Sequence, residues 1–199
     1  LGGDLVITAA RPQDNTRLQQ AQQAGLQTTA TISFPSVASA GDKLQLSQLK
    51  AISQGYPLRG ELKTASQLSG EEVLSNGQIP ARGEVWAEAR LFTALGIATN
   101  ADIKLGQQTF KLSRVLTQEP DRGTNLFQFA PVLIMNAQDL PATKLLTPAS
   151  RATFSQLFAG DSQAINRFKK MVETQLKPTE RIRTLKDDLS SVQQALQRS

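Results

Sequence analysis

Ser47 and Lys50 stand three residues apart. On a helix that Ser-x-x-Lys spacing brings a hydroxyl and an amine together over one turn, as in the penicillin-recognising serine hydrolases. Here the pair falls in a strand-like segment, where an offset of three puts the two side chains on opposite faces. The companion Ser-Asp-Asn and Lys-Thr-Gly motifs are missing. The acidic pairs Glu71-Glu72 and Asp187-Asp188 are neighbours in sequence. Adjacent helical side chains point about 100° apart, so they read as first-turn charges rather than as a convergent acid and base. Glu119 and Asp121 flank Pro120. Two carboxylates without further oxygen ligands make a poor cation site, and a salt bridge to Arg122 is the better reading.

The absences are sharper. The chain has no His and no Cys, which removes the Ser-His-Asp and Cys-His mechanisms, the usual zinc sites and disulfides. No Walker loop and no G-x-G-x-x-G occurs, so no nucleotide is bound in a recognised way. The expectation is a chain with no catalytic, metal or cofactor-binding residues of its own.

The bulk numbers describe an ordinary globular chain. Its 199 residues are 39% hydrophobic and 20% charged, with a net charge of +5. The basic residues are scattered and aromatics are only 5%; a nucleic-acid surface would cluster the first and interleave the second. No apolar run approaches the ~20 residues that cross a bilayer. The chain begins at Leu1 without a signal peptide, and an excised piece of a longer protein is the expected origin.

The elements follow from periodicity. Asp4 to Ala9 reads as a strand, and Asp14 as the cap of a helix carrying Leu18, Ala21 and Ala24, stopped at Gly25. Leu26 to Phe34 alternates as a half-buried strand, which Pro35 and Gly41-Asp42 break; Leu44 and Leu46 restart it. The parity then slips before Leu49 and Ala51, the mark of a bulge or an edge irregularity. Residues 64–80 read as a loop with one helical turn at Glu71–Leu74.

The central stretch runs from Gly83 to Arg122: a short strand at Val85–Ala87, a helix with Leu91, Phe92 and Leu95 ended by Gly96, then a hairpin. Ile103 and Leu105 face one way; after the turn at Gly106-Gln107-Gln108, Phe110, Leu112 and Val115 do the same. Pro131–Met135 is the most continuous apolar run and reads as a buried strand, with a turn or short helix from Asn136. A strand over Arg151–Phe158 precedes a helix capped by Asp161 with Ile165, Phe168, Val172 and Leu176 on one face. Ile182 and Leu185 suggest a short strand, and Asp187 opens a last helix with Leu189, Val192 and Leu196 on one side.

This order resembles the periplasmic core of MacB-like and FtsX-like ABC transporter permeases. The residues that carry the resemblance are Leu91-Phe92, Ile103-Lys104-Leu105-Gly106, Phe110-Lys111-Leu112 and Val115-Leu116. Tyr56-Pro57-Leu58-Arg59-Gly60 and Glu119-Pro120-Asp121-Arg122 are similar to the YbbP-type branch. Those permeases have transmembrane segments, which this stretch lacks.

The resemblance implies an α+β fold of two lobes. A mixed α/β porter-like lobe would be built from both termini, residues 1–77 and 147–199, and a mainly-β Sabre-like lobe, residues 78–146, would be inserted between. It implies a non-catalytic domain on the periplasmic face of the bacterial inner membrane, anchored through transmembrane helices outside this stretch. Such a domain would pass ATP-driven motion to a partner or to lipidic or hydrophobic cargo. The implied partners are a cytoplasmic ABC ATPase subunit and a periplasmic esterase or lysophospholipase, with no nucleic acid. The alternative is a soluble periplasmic binding or chaperone module for hydrophobic ligands or a protein partner. The Tyr-Pro-Leu-Arg-Gly run reads either as a stiff crossover or as a contact surface; Tyr56, Arg59, Glu119 and Arg122 are the candidate partner contacts.

Overall fold

Eleven strands hydrogen-bond into one mixed sheet in the computed structural model, which describes residues 1–121 and 129–198. Strand β1 (Leu5–Ala9) leads through helix α1 (Thr16–Gln23) to the long hairpin of β2 (Gln27–Ala40) and β3 (Lys43–Ile52). A small hairpin, β4 (Lys63–Ala65) and β5 (Val73–Leu74), precedes β6 (Glu84–Glu88), helix α2 (Ala89–Leu95), β7 (Ala101–Leu105) and β8 (Gln108–Gln118). Then come β9 (Val132–Asn136), a 3-10 turn over Ala137–Asp139 and helix α3 (Leu140–Thr143). The chain closes with β10 (Thr153–Ala159), α4 (Ser162–Glu173), β11 (Glu180–Thr184) and α5 (Leu185–Arg198).

The strand order is β11-β1-β10-β2-β3-β9-β6-β8-β4-β5, with β7 bridging β2 and β8. The first five strands come from the two ends of the chain. The next three come from the middle and join through the parallel pairing of β3 with β9. The expected α+β class is the observed one.

Burial explains why these stretches became strands. In β9, Leu133 and Met135 pack into a core with Leu49, Phe92 and Phe110, while Val132 and Ile134 face an opposite core with Ile52, Trp86 and Leu116. A strand covered on both faces has no polar alternation, which is why the segment reads as one apolar run. Helices α1 and α4 cover the outer strands: Ala21, Ile165, Phe168 and Val172 pack against Leu5, Ile7 and Phe158. Helix α4 starts as expected, with the Asp161 carboxylate accepting from the Gln163 amide at 3.2 Å.

Four expectations change. Pro35 does not break β2 but lies within it, opposite Gln48. On its other side β10 has ended at the Ser33–Thr153 pair and β7 begins only at Ala38, so no neighbour needs the missing amide. There is no bulge before Leu49, because the β2–β3 register runs unbroken from Thr31–Ile52 to Ala40–Lys43. The parity slips because β3 is buried on both faces from Ser47 onward. The bulge lies instead in β8, where Val85 pairs with Leu112 and Trp86 with Arg114, skipping Ser113. That extra residue lets Val115 share a core with Phe110 and Leu112 despite its odd spacing. Glu71–Leu74 holds no helical turn, because Val73 and Leu74 pair with Thr64 and Lys63. Finally, Leu185 ends no strand but opens α5, whose Asp187 amide donates to the Thr184 hydroxyl at 3.1 Å.

A buried ion pair pins α1 to β11. Both guanidinium Nη atoms of Arg17 donate to the Glu180 carboxylate, at 2.7 and 3.1 Å. The Arg17 hydrogen bond, opposed in part by burial, holds the Glu180 carboxyl below its ordinary range. A depressed carboxylate pKa adds stability above the unfolded value, near 4.3, and that stability is lost as pH falls through the folded value. Urea midpoints between pH 6 and pH 3 are therefore expected to fall less steeply in Arg17→Met than in the parent. Parallel curves would show that the pair carries none of the acid sensitivity.

Candidate functional site

The two motifs singled out in the sequence meet in space. Lys50 projects from β3 on the same face as Gln48 and Ile52, and its side chain is only 6% exposed. Its ammonium has three protons and uses them all. It donates to Tyr56 Oη at 2.8 Å, to Glu119 Oε2 at 3.0 Å and to the Asp121 carbonyl at 2.7 Å. Tyr56 Oη in turn donates to Glu119 Oε1. Glu119 Oε1 also accepts from the Asp121 amide at 3.3 Å. Burial, then the neighbouring Glu119 charge, push the Tyr56 phenol well above its ordinary pKa, so it stays a donor.

A close backbone contact reinforces the joint. Gly60 has φ +81°, and a Cβ there would lie 2.6 Å from Pro120 Cβ. Only glycine lets the Tyr-Pro-Leu-Arg-Gly run lie this close to the Glu-Pro-Asp run.

The other half of the same run holds the start of the chain. The Gly2 carbonyl accepts from the Leu58 amide at 2.8 Å and the Arg59 amide at 2.9 Å. Arg59 Nε donates to Asp4 Oδ1 at 3.0 Å, and its Nη2 lies 3.0 Å from Asp4 Oδ2. Asp4 Oδ2 accepts from the Gly160 amide, and the Asp4 carbonyl from the Leu185 amide, each at 3.0 Å. The entry of β1 and the entry of α5 are thus one hydrogen bond apart. A single loop touches this double anchor on one side and the end of β8 on the other.

The candidate contacts separate accordingly. Tyr56 has no exposed surface and Glu119 is 8% exposed, so neither can present itself to a partner. The Tyr56 hydroxyl is taken up by the buried cluster. The Arg59 side chain is 41% exposed and keeps an outward edge. Arg122, and with it the expected pair with Glu119, lies outside the described residues, as does most of the Leu126–Phe129 stretch; Glu119 takes Lys50 and Tyr56. Lys50 was the residue the sequence reading missed as a partner. Its one clue was a lysine inside a segment whose neighbours Leu49, Ala51 and Ile52 are all apolar.

The Ser-x-x-Lys pair does not come together in the cluster. Ser47 lies on the opposite face of β3 from Lys50 and donates to the Ser36 carbonyl at 2.8 Å. Among the described residues, no group of three or more acidic side chains is placed to hold a metal ion. What the arrangement can do is fix one segment rigidly to another.

The anchor gives a graded prediction. Asp4→Ala leaves the Gly160 amide without its acceptor and frees Arg59, which costs about 1–3 kcal/mol. Arg59→Ala, removing the partly exposed partner, costs less than about 1 kcal/mol. Urea unfolding ranks the two, and amide exchange at Gly160 rises only in the Asp4 variant.

Comparison with known proteins bears on this geometry. No family model matches the chain. The uncharacterized ABC transporter permease YbbP of Escherichia coli (strain K12) is 32% identical over 199 residues, covering 100% of the chain and 24% of the permease. The periplasmic region of MacB from Actinobacillus actinomycetemcomitans superposes with a TM-score of 0.60 at 11% identity, over 100% of this chain and 95% of that one. The chain is thus similar over its full length to a part of the YbbP permease and has the MacB-like fold. The extracellular domain of the ABC-type transporter YknZ from Gram-positive bacteria shares the MacB-like fold, with a TM-score of 0.56 at 11% identity over 90% of this chain and 100% of that one. These MacB-like neighbours are periplasmic or extracellular regions, in keeping with the expected periplasmic face. The chain spans about a quarter of the YbbP permease, 24% of its length.

Proposed function

We propose that this domain is a non-catalytic lever of an ABC transporter permease. It passes ATP-driven motion of membrane helices to an extracytoplasmic partner or to hydrophobic cargo. The observation that carries the reading is the hydrogen bond between the Asp4 carbonyl and the Leu185 amide, 3.0 Å long. Two chain ends entering side by side give a driving element a single point of purchase. A rigid body moved from such a point displaces its far end as a unit.

The two-lobe division is part of this proposal. Residues 1–77 and 147–199 form the anchored lobe and residues 78–146 the inserted one, with the β4–β5 hairpin reaching across to extend the inserted strands. The Lys50–Tyr56–Glu119 cluster then welds the lobes together, so they move as one. The ATPase acts in this reading from a separate cytoplasmic chain, joined through apolar runs of about 20 residues before Leu1 and after Ser199. A periplasmic esterase or lysophospholipase is the protein partner to test first.

The full-length permease, assembled with its ATPase in vesicles, tests this directly. A fluorophore at Gln107→Cys reports distance to a labelled headgroup, and a second pair, Gln19→Cys with Gln107→Cys, reports distance inside the domain. Nucleotide is expected to change the first distance and leave the second unchanged. A domain-to-membrane distance identical with and without ATP would sink the lever.

A further inference from the structure

A cleft of about 470 Å³ opens beside the anchor, between α4, the first turn of α5 and Arg59. Its charged lining is three cations, Arg59, Lys169 and Lys186, against two carboxylates, Asp4 and Asp187. Asp4 is already neutralised, since Arg59 and the Gly160 amide occupy both its oxygens. Lys169 has only a loose partner in Glu173, at 3.7 Å, and Lys186 forms no ion pair among the described residues. Asp187 is the other carboxylate of the lining, held below its ordinary range first by the Thr184 hydrogen bond and then by the charges of Lys169 and Lys186. With three cations against two carboxylates, the lining keeps one positive charge in excess, which favours an anion.

Two apolar side chains, Ile165 and Leu185, also line the cleft. Ile165 is buried, and Leu185 is 37% exposed. One turn further along α5, on the same side, Leu189 is 59% exposed, and Val192 follows at 58%. No residue of α5 is buried against the rest of the described chain. An apolar track therefore starts inside a basic cleft and leads out along an uncovered helix.

The geometry points to a binding site for a single-chain amphiphile with an anionic head, phosphate or carboxylate. The head sits between Lys169 and Lys186, and the alkyl chain runs over Leu185 onto Leu189. A volume of this size suits a head group and the first part of a chain. The site stands on the cleft itself and does not depend on the lever reading.

Calorimetry on the 199-residue chain tests it with decyl phosphate and decanoate below their micellar concentrations, decanol and inorganic phosphate. Decyl phosphate or decanoate is expected to bind at least tenfold more tightly than decanol or inorganic phosphate. Lys169→Glu with Lys186→Glu weakens that binding tenfold or more. Leu185→Ser with Leu189→Ser weakens the alkyl anions but not inorganic phosphate. All four positions lie on the surface, and circular dichroism confirms that the variants fold. Absence of binding by both alkyl anions overturns the site. Inorganic phosphate binding as tightly as decyl phosphate reduces it to an anion site and overturns the amphiphile. Binding unchanged by the charge reversals places the alkyl anion elsewhere and overturns it as well.

Discussion

Lys50→Ala destabilises the domain by about 3–5 kcal/mol, because it leaves the Glu119 carboxylate buried without its counter-charge. At this chain length each kcal/mol moves the melting midpoint by about 2–4 °C, so a fall of about 6–20 °C is expected. The cause is the desolvated partner rather than the lost bond. Among the described residues Glu119 keeps the Tyr56 hydroxyl and the Asp121 amide as donors, neither of them charged.

The double variant Lys50→Met, Glu119→Gln separates the two effects. It removes both charges, fills the lysine volume with a thioether and keeps an oxygen to accept from Tyr56. It is expected to lose less than Lys50→Ala alone. If the double variant is the less stable of the two, the cluster contributes through attraction and not through avoided desolvation. Chemical unfolding at pH 7 distinguishes the cases.

Gly106→Ala is the second large effect, at about 2–4 kcal/mol by the sum of left-handed strain and a broken buried hydrogen bond. The residue sits in the β7–β8 turn at φ +59°, where a Cβ would come 2.2 Å from the Thr143 carbonyl oxygen and 2.9 Å from Leu145 Cγ. That same carbonyl accepts from the Gln107 amide at 2.9 Å. The methyl group must push α3 away and take the hydrogen bond with it. Gly41 is the control: it turns the β2–β3 hairpin at φ +60°, with nothing within 4 Å of an added Cβ. Gly41→Ala therefore pays only the conformational strain, about 1 kcal/mol. Equal losses in the two variants would show that the contact with Thr143 is soft.

The two glycines show where local reading stops. Both read as turns from their flanking strands, and both are turns. That one of them is packed against α3 depends on a segment nearly forty positions away. The same limit applied to Lys50, whose partner Glu119 lies 69 positions along the chain. Neither residue carries a local mark of the other.

What the amino-acid order determined by itself was most of the elements and which mechanisms, those that need His or Cys, are left out. Periodicity placed β1, α2, the β7–β8 hairpin, β9 and α4, because each buries one face or both and that demand is written in its own residues. Lacking His and Cys, the chain has no Ser-His-Asp or Cys-His machinery, and the Leu-Phe, Tyr-Pro-Leu-Arg-Gly and Glu-Pro-Asp-Arg runs pointed to the permease family. Only the tertiary structure decided that Pro35 can stay inside a strand, since that depends on a gap between two neighbouring strands. It also turned Val73-Leu74 into a strand, buried Tyr56 and Glu119, and set the entry of β1 beside the entry of α5. These outcomes depend on which distant segments pair, and pairing across the sheet leaves no trace in the local pattern of either partner.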